Sequence, residues 1–329
     1  MRIAIAGAGA IGASIGARLA RIGQDVTWFA RGPHLAAMQA RGVRVESPAG
    51  EFEVRPAVTG DLASIGQADV VFLGVKAHGL SGLAPQLRPL FGPDTIVVST
   101  QNGLPWWYFQ RLGGELDGLR LERVDPGGVI AAAIEPERVV GSIVYFSTEI
   151  AQPGVIRHIE GTRLSLGEPD GSRSDRCRRL AGVLMEAGLR APITTRIRHE
   201  IWVKLLGNVS LNPVSALTGA TLVEIVQDPE AGPLVRQIMT EVEAVATRLG
   251  IELPVSIDQR MAGAEKVGEH KTSMLQDLEG GRPMELDAVV GGVLELGERL
   301  GLPMPSTRAV YSCAKLLDRC RSRQRNVDR

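Results

Sequence analysis

The chain has 329 residues, and at roughly 100–200 residues per domain this length predicts two domains with room for sizeable cores. Its 37 basic and 37 acidic side chains cancel, which excludes the overall positive charge typical of proteins that bind nucleic acid or anionic membranes. The three cysteines, at 177, 313 and 320, fit neither a disulfide framework nor a zinc site and indicate a reducing, cytoplasmic location. No metal site and no transmembrane helix are expected, because ligand spacings and long apolar runs are both missing from the sequence.

The first part of the chain alternates between strand and helix patterns. Residues 2–6 are a short apolar run bounded by glycine, which is typical of a strand buried in a parallel sheet, and residues 10–22 follow as a helix. Further strands are predicted over residues 25–29, 69–75 and 95–100. This alternation predicts an α/β fold with a doubly wound parallel sheet.

Residues 139–167 change to short β-rich runs separated by a Pro-Gly turn and by Gly161, which predicts antiparallel strands that close the sheet. After a helix over residues 174–189, the domain boundary is predicted near residue 195. Residues 196–329 then show apolar stripes at helical spacing, which predict an all-α domain whose apolar helices would suit a dimer. The polar tail from Arg319 is expected to be a frayed terminus.

A glycine fingerprint lies between the first strand and the first helix. Its glycines have the GxGxxG spacing of a Rossmann dinucleotide site, where the turn, the approach of a pyrophosphate and helix packing each need a missing side chain. The amides at the start of the helix would face the phosphates. The fingerprint residues are Gly7, Ala8, Gly9, Ala10, Ile11 and Gly12.

The residues that follow other predicted strands indicate the type of nucleotide. The second strand is followed by Arg31 rather than by the acidic residue of an NAD site, and a guanidinium can pair with a 2′-phosphate, so NADP is predicted. Lys76 and Asn102 also lie at predicted carboxyl ends of strands, where ligands bind in open α/β sheets. Lys76 is a candidate for phosphate neutralisation, and Asn102 for contacts with cofactor or substrate; surface loop positions remain the alternative.

Three polar residues, Lys204, Asn208 and Asn212, are spaced i, i+4, i+8 in an otherwise apolar helical pattern. The spacing places them along one side of the helix. Since buried amines and amides need hydrogen-bond partners, the stripe indicates either a polar core network or a substrate pocket.

Taken together, these motifs resemble the ketopantoate reductases, also called 2-dehydropantoate 2-reductases, over nearly the whole chain. The resemblance is carried by GAGAIG, VKA, QNG, KLLGNVSLNPVSAL, SMLQD at 273–277 and GRPMELD at 281–287. It implies NADPH-dependent reduction of a small 2-keto acid in pantothenate biosynthesis. Two other classes stay open: a β-hydroxyacid or 6-phosphogluconate type of dehydrogenase, and a non-catalytic NADP-binding sensor.

The resemblance also implies roles for individual residues. Lys204 would be the general acid that protonates the ketone oxygen, a position where an ammonium stabilises the developing alkoxide. Glu285 would shape the surroundings of the lysine and the cofactor, Asn102 would lie between cofactor and substrate, and Ser273 would hold the substrate carboxylate. Asn208 and Asn212 would bond its hydroxyl and carbonyl groups. By pattern alone, Ser273 also suits a helix cap, and Glu285 suits an acidic residue in a first helical turn.

Two segments depart from the family pattern. A further substrate-binding asparagine is missing near Leu222, where the sequence reads TGATLV. Because a site built to bond a hydroxyl discriminates strongly, this change bears on substrate identity more than on reaction type. The aromatic cluster from Trp106 to Phe109 is interpreted as a pocket lining, a lid or a subunit contact.

Overall fold

A computed structural model of the chain describes the backbone of residues 1–327. These residues form two compact units. The first, called the sheet unit below, comprises Met1–Gln101, Pro105–Arg120 and Asp125–Ile197. The second, called the helical unit, comprises Asn102–Leu104, Leu121–Val124 and the chain from Arg198 onward. Two short segments from the first half of the sequence therefore pack within the helical unit.

The sheet unit contains the predicted strands and helices and several that the sequence did not indicate. Its strands are β1 Arg2–Ala6, β2 Asp25–Phe29, β3 Val43–Ser47, β4 Gly50–Val54, β5 Ala57–Thr59, β6 Ala68–Leu73, β7 Phe91–Ser99, β8 Val139–Gln152 and β9 Val155–Gly167. Its helices are α1 Ala10–Arg21, α2 Gly32–Arg41, α3 Ala77–Leu83, α4 Val129–Ala133 and α5 Asp175–Glu186.

All nine strands join in one sheet with the order β4-β3-β9-β8-β7-β6-β1-β2-β5. The strands from β8 through β7, β6, β1 and β2 to β5 pair in parallel, so the predicted doubly wound parallel core is confirmed. The strands β8 and β9 form the predicted antiparallel pair. Side chains of β1, β2 and β6 pack with α1 in a continuous apolar core because these strands are covered on both faces.

The outer edge of the sheet differs from the prediction. The β3–β4 hairpin was not predicted, although its two five-residue strands alternate apolar and charged side chains as a half-buried strand does, and it extends the sheet by pairing β3 in parallel with β9. The predicted break at Gly161 is wrong, since β9 runs through it. Gly161 has φ +73° where the register with β8 shifts, so this glycine serves an irregularity within one strand.

The aromatic cluster after β7 belongs to the interior of the sheet unit. Trp107 is 1% exposed, donates from Nε1 to Ser99 Oγ at 2.9 Å, and lies so close to Gly141 that a Cβ there would be 2.7 Å from its ring. The rings of Tyr108 and Phe109 meet edge to face, with centroids 4.7 Å apart. The interpretation of this cluster as a lid or subunit contact is therefore wrong for Trp107, Tyr108 and Phe109, which are core residues.

The helical unit is built from helices, as predicted. They are α6 Ile197–Thr218, α7 Leu222–Gln227, α8 Ala231–Arg248, α9 Ile257–Val267, α10 Ser273–Glu279, a π-helical turn Asp287–Gly291, α11 Gly292–Arg299 and α12 Pro305–Val327. The expectation of a frayed tail from Arg319 is wrong as far as Val327; its last two residues lie outside the described residues. Within residues 1–327, no helix has the length and apolar character needed to cross a membrane.

The cysteines provide a check on the packing of the sheet unit. Cys177 is buried in α5, while Cys313 and Cys320 are exposed on α12. Burial, together with the negative charge of Glu168, raises the pKa of the Cys177 thiol to about 11, so it stays protonated at neutral pH. We expect an aromatic disulfide reagent to modify Cys313 and Cys320 in the folded protein and Cys177 only after unfolding. Rapid modification of all three thiols without denaturant would contradict this packing.

Candidate active site

The glycine fingerprint forms a close-packed cradle at the end of β1. Gly7 has φ +109°, a conformation that favours glycine, and a Cβ there would lie 2.9 Å from the amide nitrogen of Val75. A Cβ on Gly12 would lie 2.5 Å from the carbonyl oxygen of Gly7. The fingerprint backbone therefore approaches its neighbours without intervening side chains, as nucleotide binding requires.

Sequence reasoning missed one member of this cradle, Gly74. It follows β6 directly, and a Cβ on it would lie 2.1 Å from the Gly7 carbonyl oxygen and 3.0 Å from the Gly12 Cα. The side chain of Gln101 fixes the end of β6, because its amide nitrogen donates to the carbonyl oxygens of Leu73 and Val75 at 2.8 and 2.9 Å. The glycine directly after a buried strand in FLGVK was the available signal for Gly74.

The predicted cofactor residues occupy the expected positions in the sheet unit. The helix α1 begins at Ala10, so its first amides lack partners within the helix and are suited to phosphate oxygens. Arg31 is exposed two residues after β2, with its guanidinium 5.0 Å from the centre of the Phe29 ring. Lys76 is exposed at the residue preceding α3. These residues fit a phosphorylated dinucleotide.

Replacing Gly12 with alanine tests the cradle. The added methyl group would clash with the backbone oxygen of Gly7, so we expect the Kd for NADPH to rise by at least about tenfold. Gly182→Ala is the matched control, because Gly182 also lies in a helix but has open space around its Cβ position. That control should bind NADPH normally and gain up to about 1 kcal/mol of stability. Equal Kd values for both variants would contradict the role of Gly12.

Three of the predicted site residues meet within the helical unit. Lys204 Nζ donates to Asn102 Oδ1 at 2.7 Å, and Asn102 Nδ2 donates to Glu285 Oε2 at 3.5 Å. The amide of Asn102 is thus oriented by both neighbours, its oxygen toward the ammonium and its nitrogen toward the carboxylate. Glu285 is 6% exposed. The arrangement holds a lysine ammonium in a defined place through an uncharged bridge to a buried acid.

The other residues of the polar stripe lie on the same helix as Lys204. Asn208 and Asn212 follow it by one and two turns of α6. Asn212 is only 7% exposed, yet among the described residues neither asparagine side chain has a hydrogen-bond partner. Neither amide is among the fully buried polar atoms that lack a partner, so both are open to water or to a ligand. The pocket interpretation of the stripe is therefore favoured over a polar core network.

The local structure bears on the helix-end alternatives for Ser273 and Glu285. The cap of α10 is Thr272, whose hydroxyl accepts from the amide of Leu275 at 3.3 Å, so the helix-cap interpretation of Ser273 is wrong. Ser273 is exposed at the first position of that helix. Glu285 directly precedes the helical residue Leu286, and its carboxylate accepts from the side chain of Asn102. The roles of Ser273 and Glu285 stay predictions.

Asn102 reaches the helical unit because of the glycine beside it. Gly103 has φ +93°, and a Cβ on it would lie 2.3 Å from the carbonyl oxygen of Ala288. The next residue, Leu104, donates its amide to that same oxygen at 3.0 Å. The QNG motif follows the end of β7, and its glycine lets residues 103 and 104 pack closely against the turn that follows Glu285. No cluster of three or more His, Cys, Asp or Glu side chains suited to a metal occurs among the residues described.

A glycine cradle on a doubly wound sheet, together with a lysine bridged to a buried glutamate, defines a Rossmann-type oxidoreductase. Two sequence families extend over most of the chain: ketopantoate reductase PanE/ApbA over residues 3–111 and its C-terminal domain over residues 196–318. The chain is 50% identical over 318 residues to a 2-dehydropantoate 2-reductase of Mesorhizobium japonicum, covering 96% of this chain and 98% of that protein. The chain belongs to the ketopantoate reductase family.

Solved structures agree with this assignment. A protein of Ralstonia solanacearum MolK2 assigned to the ketopantoate reductases superimposes with a TM-score of 0.93 at 41% identity, covering 98% of both chains. The D-mandelate dehydrogenase solved with NADH and anilino(oxo)acetate has a TM-score of 0.84 at 22% identity, covering 98% of this chain and all of that one. At that identity the second likeness shows the fold alone.

Proposed function

We propose that this chain reduces 2-dehydropantoate, or a closely related 2-keto acid, to the corresponding 2-hydroxy acid with NADPH. The observation that carries the proposal is the bonded series Lys204, Asn102 and Glu285, which holds a proton donor in place. The family membership supplies the reaction class. A non-catalytic sensor would not need an oriented ammonium, and the family match disfavours the β-hydroxyacid and 6-phosphogluconate type of dehydrogenase.

Lys204 is the proton donor in this proposal. NADPH supplies the hydride to the ketone carbon, and the ketone oxygen then gains negative charge that an ammonium can stabilise and neutralise. An ammonium has three donors, so its bond to Asn102 leaves capacity for the ketone oxygen. Asn102 directs the ammonium, and Glu285 orients Asn102 by accepting from its amide.

The substrate contacts are assigned to the same unit. Asn208 and Asn212 offer side-chain amides without protein partners, and these suit the carbonyl and hydroxyl groups of a hydroxylated keto acid. The hydroxyl of Ser273 is assigned to the substrate carboxylate. The missing asparagine near Leu222 removes one contact from the family set. We therefore assign 2-dehydropantoate as the first substrate and a 2-keto acid with a bulkier or less polar side chain as the second.

The phosphate contacts of the cofactor are assigned to residues of the sheet unit. The fingerprint residues 7–12 approach the pyrophosphate, and Lys76 adds positive charge at the carboxyl end of β6. Asn102 and Glu285 are assigned to the nicotinamide end of the cofactor as well as to the lysine. We further propose a cytoplasmic enzyme of pantothenate biosynthesis that forms a homodimer through its helical unit.

Arg31 is expected to select NADPH over NADH. Replacing it with methionine removes a guanidinium that can pair with the 2′-phosphate, so we expect the Kd for NADPH to rise roughly 10–100-fold and that for NADH to stay within about threefold. Arg41→Met, at the other end of α2, is the matched control. Fluorescence titration of both variants with NADPH and with NADH measures the four Kd values, which are compared with those of the parent protein. Parallel losses for NADH and NADPH would contradict the assignment.

A panel of keto acids tests the proposed function itself. The purified protein is mixed with NADPH and either 2-dehydropantoate, its analogue without the hydroxyl group, or an aryl 2-keto acid, and kcat/KM is compared. Highest turnover with 2-dehydropantoate supports the first substrate, and a preference for either analogue supports the second. Failure of NADPH-binding protein to reduce any of them would refute the reductase proposal.

A further inference from the structure

A second polar network lies beside the proposed active site, on the π-helical turn Asp287–Gly291. Tyr311 of α12 donates its hydroxyl hydrogen to Asp287 Oδ1 at 2.5 Å, and Lys315 Nζ lies 2.8 Å from Asp287 Oδ2. Arg123 Nη1 donates to the Tyr311 oxygen at 2.6 Å, with the guanidinium carbon 5.2 Å from the centre of the tyrosine ring. Tyr311 and Lys315 thus tie α12 to the Asp287 carboxylate, and Arg123 of the segment 121–124 joins it through the tyrosine.

The turn that carries Asp287 also holds the segment with Asn102. The Gly292 amide donates to the carbonyl of Asp287, five residues back, which is the wider spacing of a π-helix. The next carbonyl, that of Ala288, accepts from the Leu104 amide at 3.0 Å. Glu285 precedes Asp287 by two residues. The backbone of this turn is thus the shared support of Asn102 and Glu285.

Two further contacts show that the network is closely fitted to the turn. A Cβ on Gly291 would lie 3.0 Å from Arg123 Cδ and 3.3 Å from the Tyr311 hydroxyl oxygen, so glycine makes room for both side chains. The carboxylate of Glu295 accepts from the backbone amides of Glu122 and Arg123 at 3.0 and 2.9 Å. Arg123 is therefore fixed at its backbone as well as at its guanidinium.

The bond between Tyr311 and Asp287 persists at neutral pH. Burial would raise the pKa of Asp287, but the bonds from Lys315 and Tyr311 outweigh it and hold that pKa below its ordinary value, so Asp287 remains an acceptor. Burial and the bond to Asp287 raise the pKa of Tyr311 to about 12, so it remains a donor.

We propose that Asp287, held by Tyr311, Lys315 and Arg123, is a positioning residue that fixes the π-helical turn and thereby places Glu285 and Asn102 around Lys204. Asp287 itself touches none of the reacting groups in this scheme; it acts through the backbone of residues 285–288. The inference rests on the proposed function, since Lys204 is taken as the proton donor. It assigns a supporting role to four residues for which the family resemblance implied none.

The first test compares Asp287→Ala with Asp287→Asn. Alanine removes both acceptors, and a displacement of about 1 Å at the reacting groups can cost roughly 100-fold in rate, so we expect kcat to fall roughly 30–100-fold. The KM for NADPH should change less than about threefold, because the fingerprint is untouched. Asparagine keeps an acceptor for Tyr311 and should recover part of the lost kcat. The control is Arg308→Met, which removes an exposed ion pair between Arg308 of α12, the helix that carries Tyr311 and Lys315, and Glu298 of α11.

A second measurement does not depend on activity. The Leu104 amide donates to Ala288, so hydrogen exchange at Leu104 should quicken at least about tenfold in Asp287→Ala and stay unchanged in Arg308→Met. Quickened exchange, with the kcat loss seen at temperatures far below the unfolding midpoint, supports the inference. Unchanged exchange, or a kcat within about twofold of the parent, overturns it. If the parent protein reduces no keto acid, the proposed function fails, and exchange at Leu104 still decides whether Asp287 fixes the turn.

Discussion

Replacing Lys204 with methionine is expected to lower kcat for keto acid reduction by roughly 10²–10⁴-fold, the usual contribution of a general acid. Methionine keeps much of the length and apolar contact of lysine but cannot donate a proton. The hydride can then reach the ketone only with the alkoxide charge left unneutralised. The Kd for NADPH should stay within about threefold, because the glycine cradle is unchanged.

Lys266→Met is the control for this experiment. Lys266 is an exposed lysine in the last turn of α9, so its loss changes the net charge equally without reaching α6. The pair is compared by single-turnover kinetics with saturating NADPH, which separates the chemical step from product release. A Lys204→Met enzyme that turns over at the parent rate would remove Lys204 from the mechanism and leave the fold assignment intact.

Replacing Asn102 with alanine is expected to lower kcat by roughly 100-fold, the second largest effect in the account. The change deletes both the acceptor for the Lys204 ammonium at 2.7 Å and the donor to Glu285 at 3.5 Å. The ammonium then loses an acceptor that places it and Glu285 loses a donor, so Lys204 is less well oriented toward the ketone oxygen. Steady-state kinetics over a range of keto acid concentrations would report the loss mainly in kcat.

Gln86→Ala serves as the comparison for Asn102→Ala. Its side-chain amide bonds only a carbonyl of the preceding turn, that of Gly82 at 2.7 Å, so removing it should leave kcat unchanged. Thermal unfolding of both variants separates misplacement from loss of fold. If Asn102→Ala keeps the parent kcat while binding substrate normally, then the bridge between Lys204 and Glu285 has no part in the chemistry.

The sequence was most informative where local pattern and fold agree. Short apolar strands, the glycine fingerprint and the i, i+4, i+8 stripe each follow from backbone periodicity, and β1, β6 and α6 match their predictions closely. The β3–β4 hairpin was missed although Val43 and Val45 alternate with charged residues as in a half-buried strand, because each of its strands is only five residues long and such short runs carry a weak signal. Strands of that kind are stabilised by their partner rather than by their own pattern.

The candidate site shows the limit of sequence reasoning more sharply. Nothing in the spacing from Asn102 to Lys204, or from Asn102 to Glu285, predicts that the three side chains bond to one another, because long-range contacts depend on how segments pack. Only the family resemblance grouped them. Gly74 and the π-helical turn at Asp287 were missed for the same reason, since a close backbone approach and a shifted helical register leave little trace in composition.

The most direct test of the central claim is the rate of NADPH oxidation, followed by absorbance, when the parent protein and Lys204→Met are each mixed with 2-dehydropantoate. The account predicts steady turnover by the parent and a loss of roughly 10²–10⁴-fold in the variant, with NADPH binding retained in both. Equal rates for the two proteins, or no oxidation by a parent that binds NADPH, would contradict it.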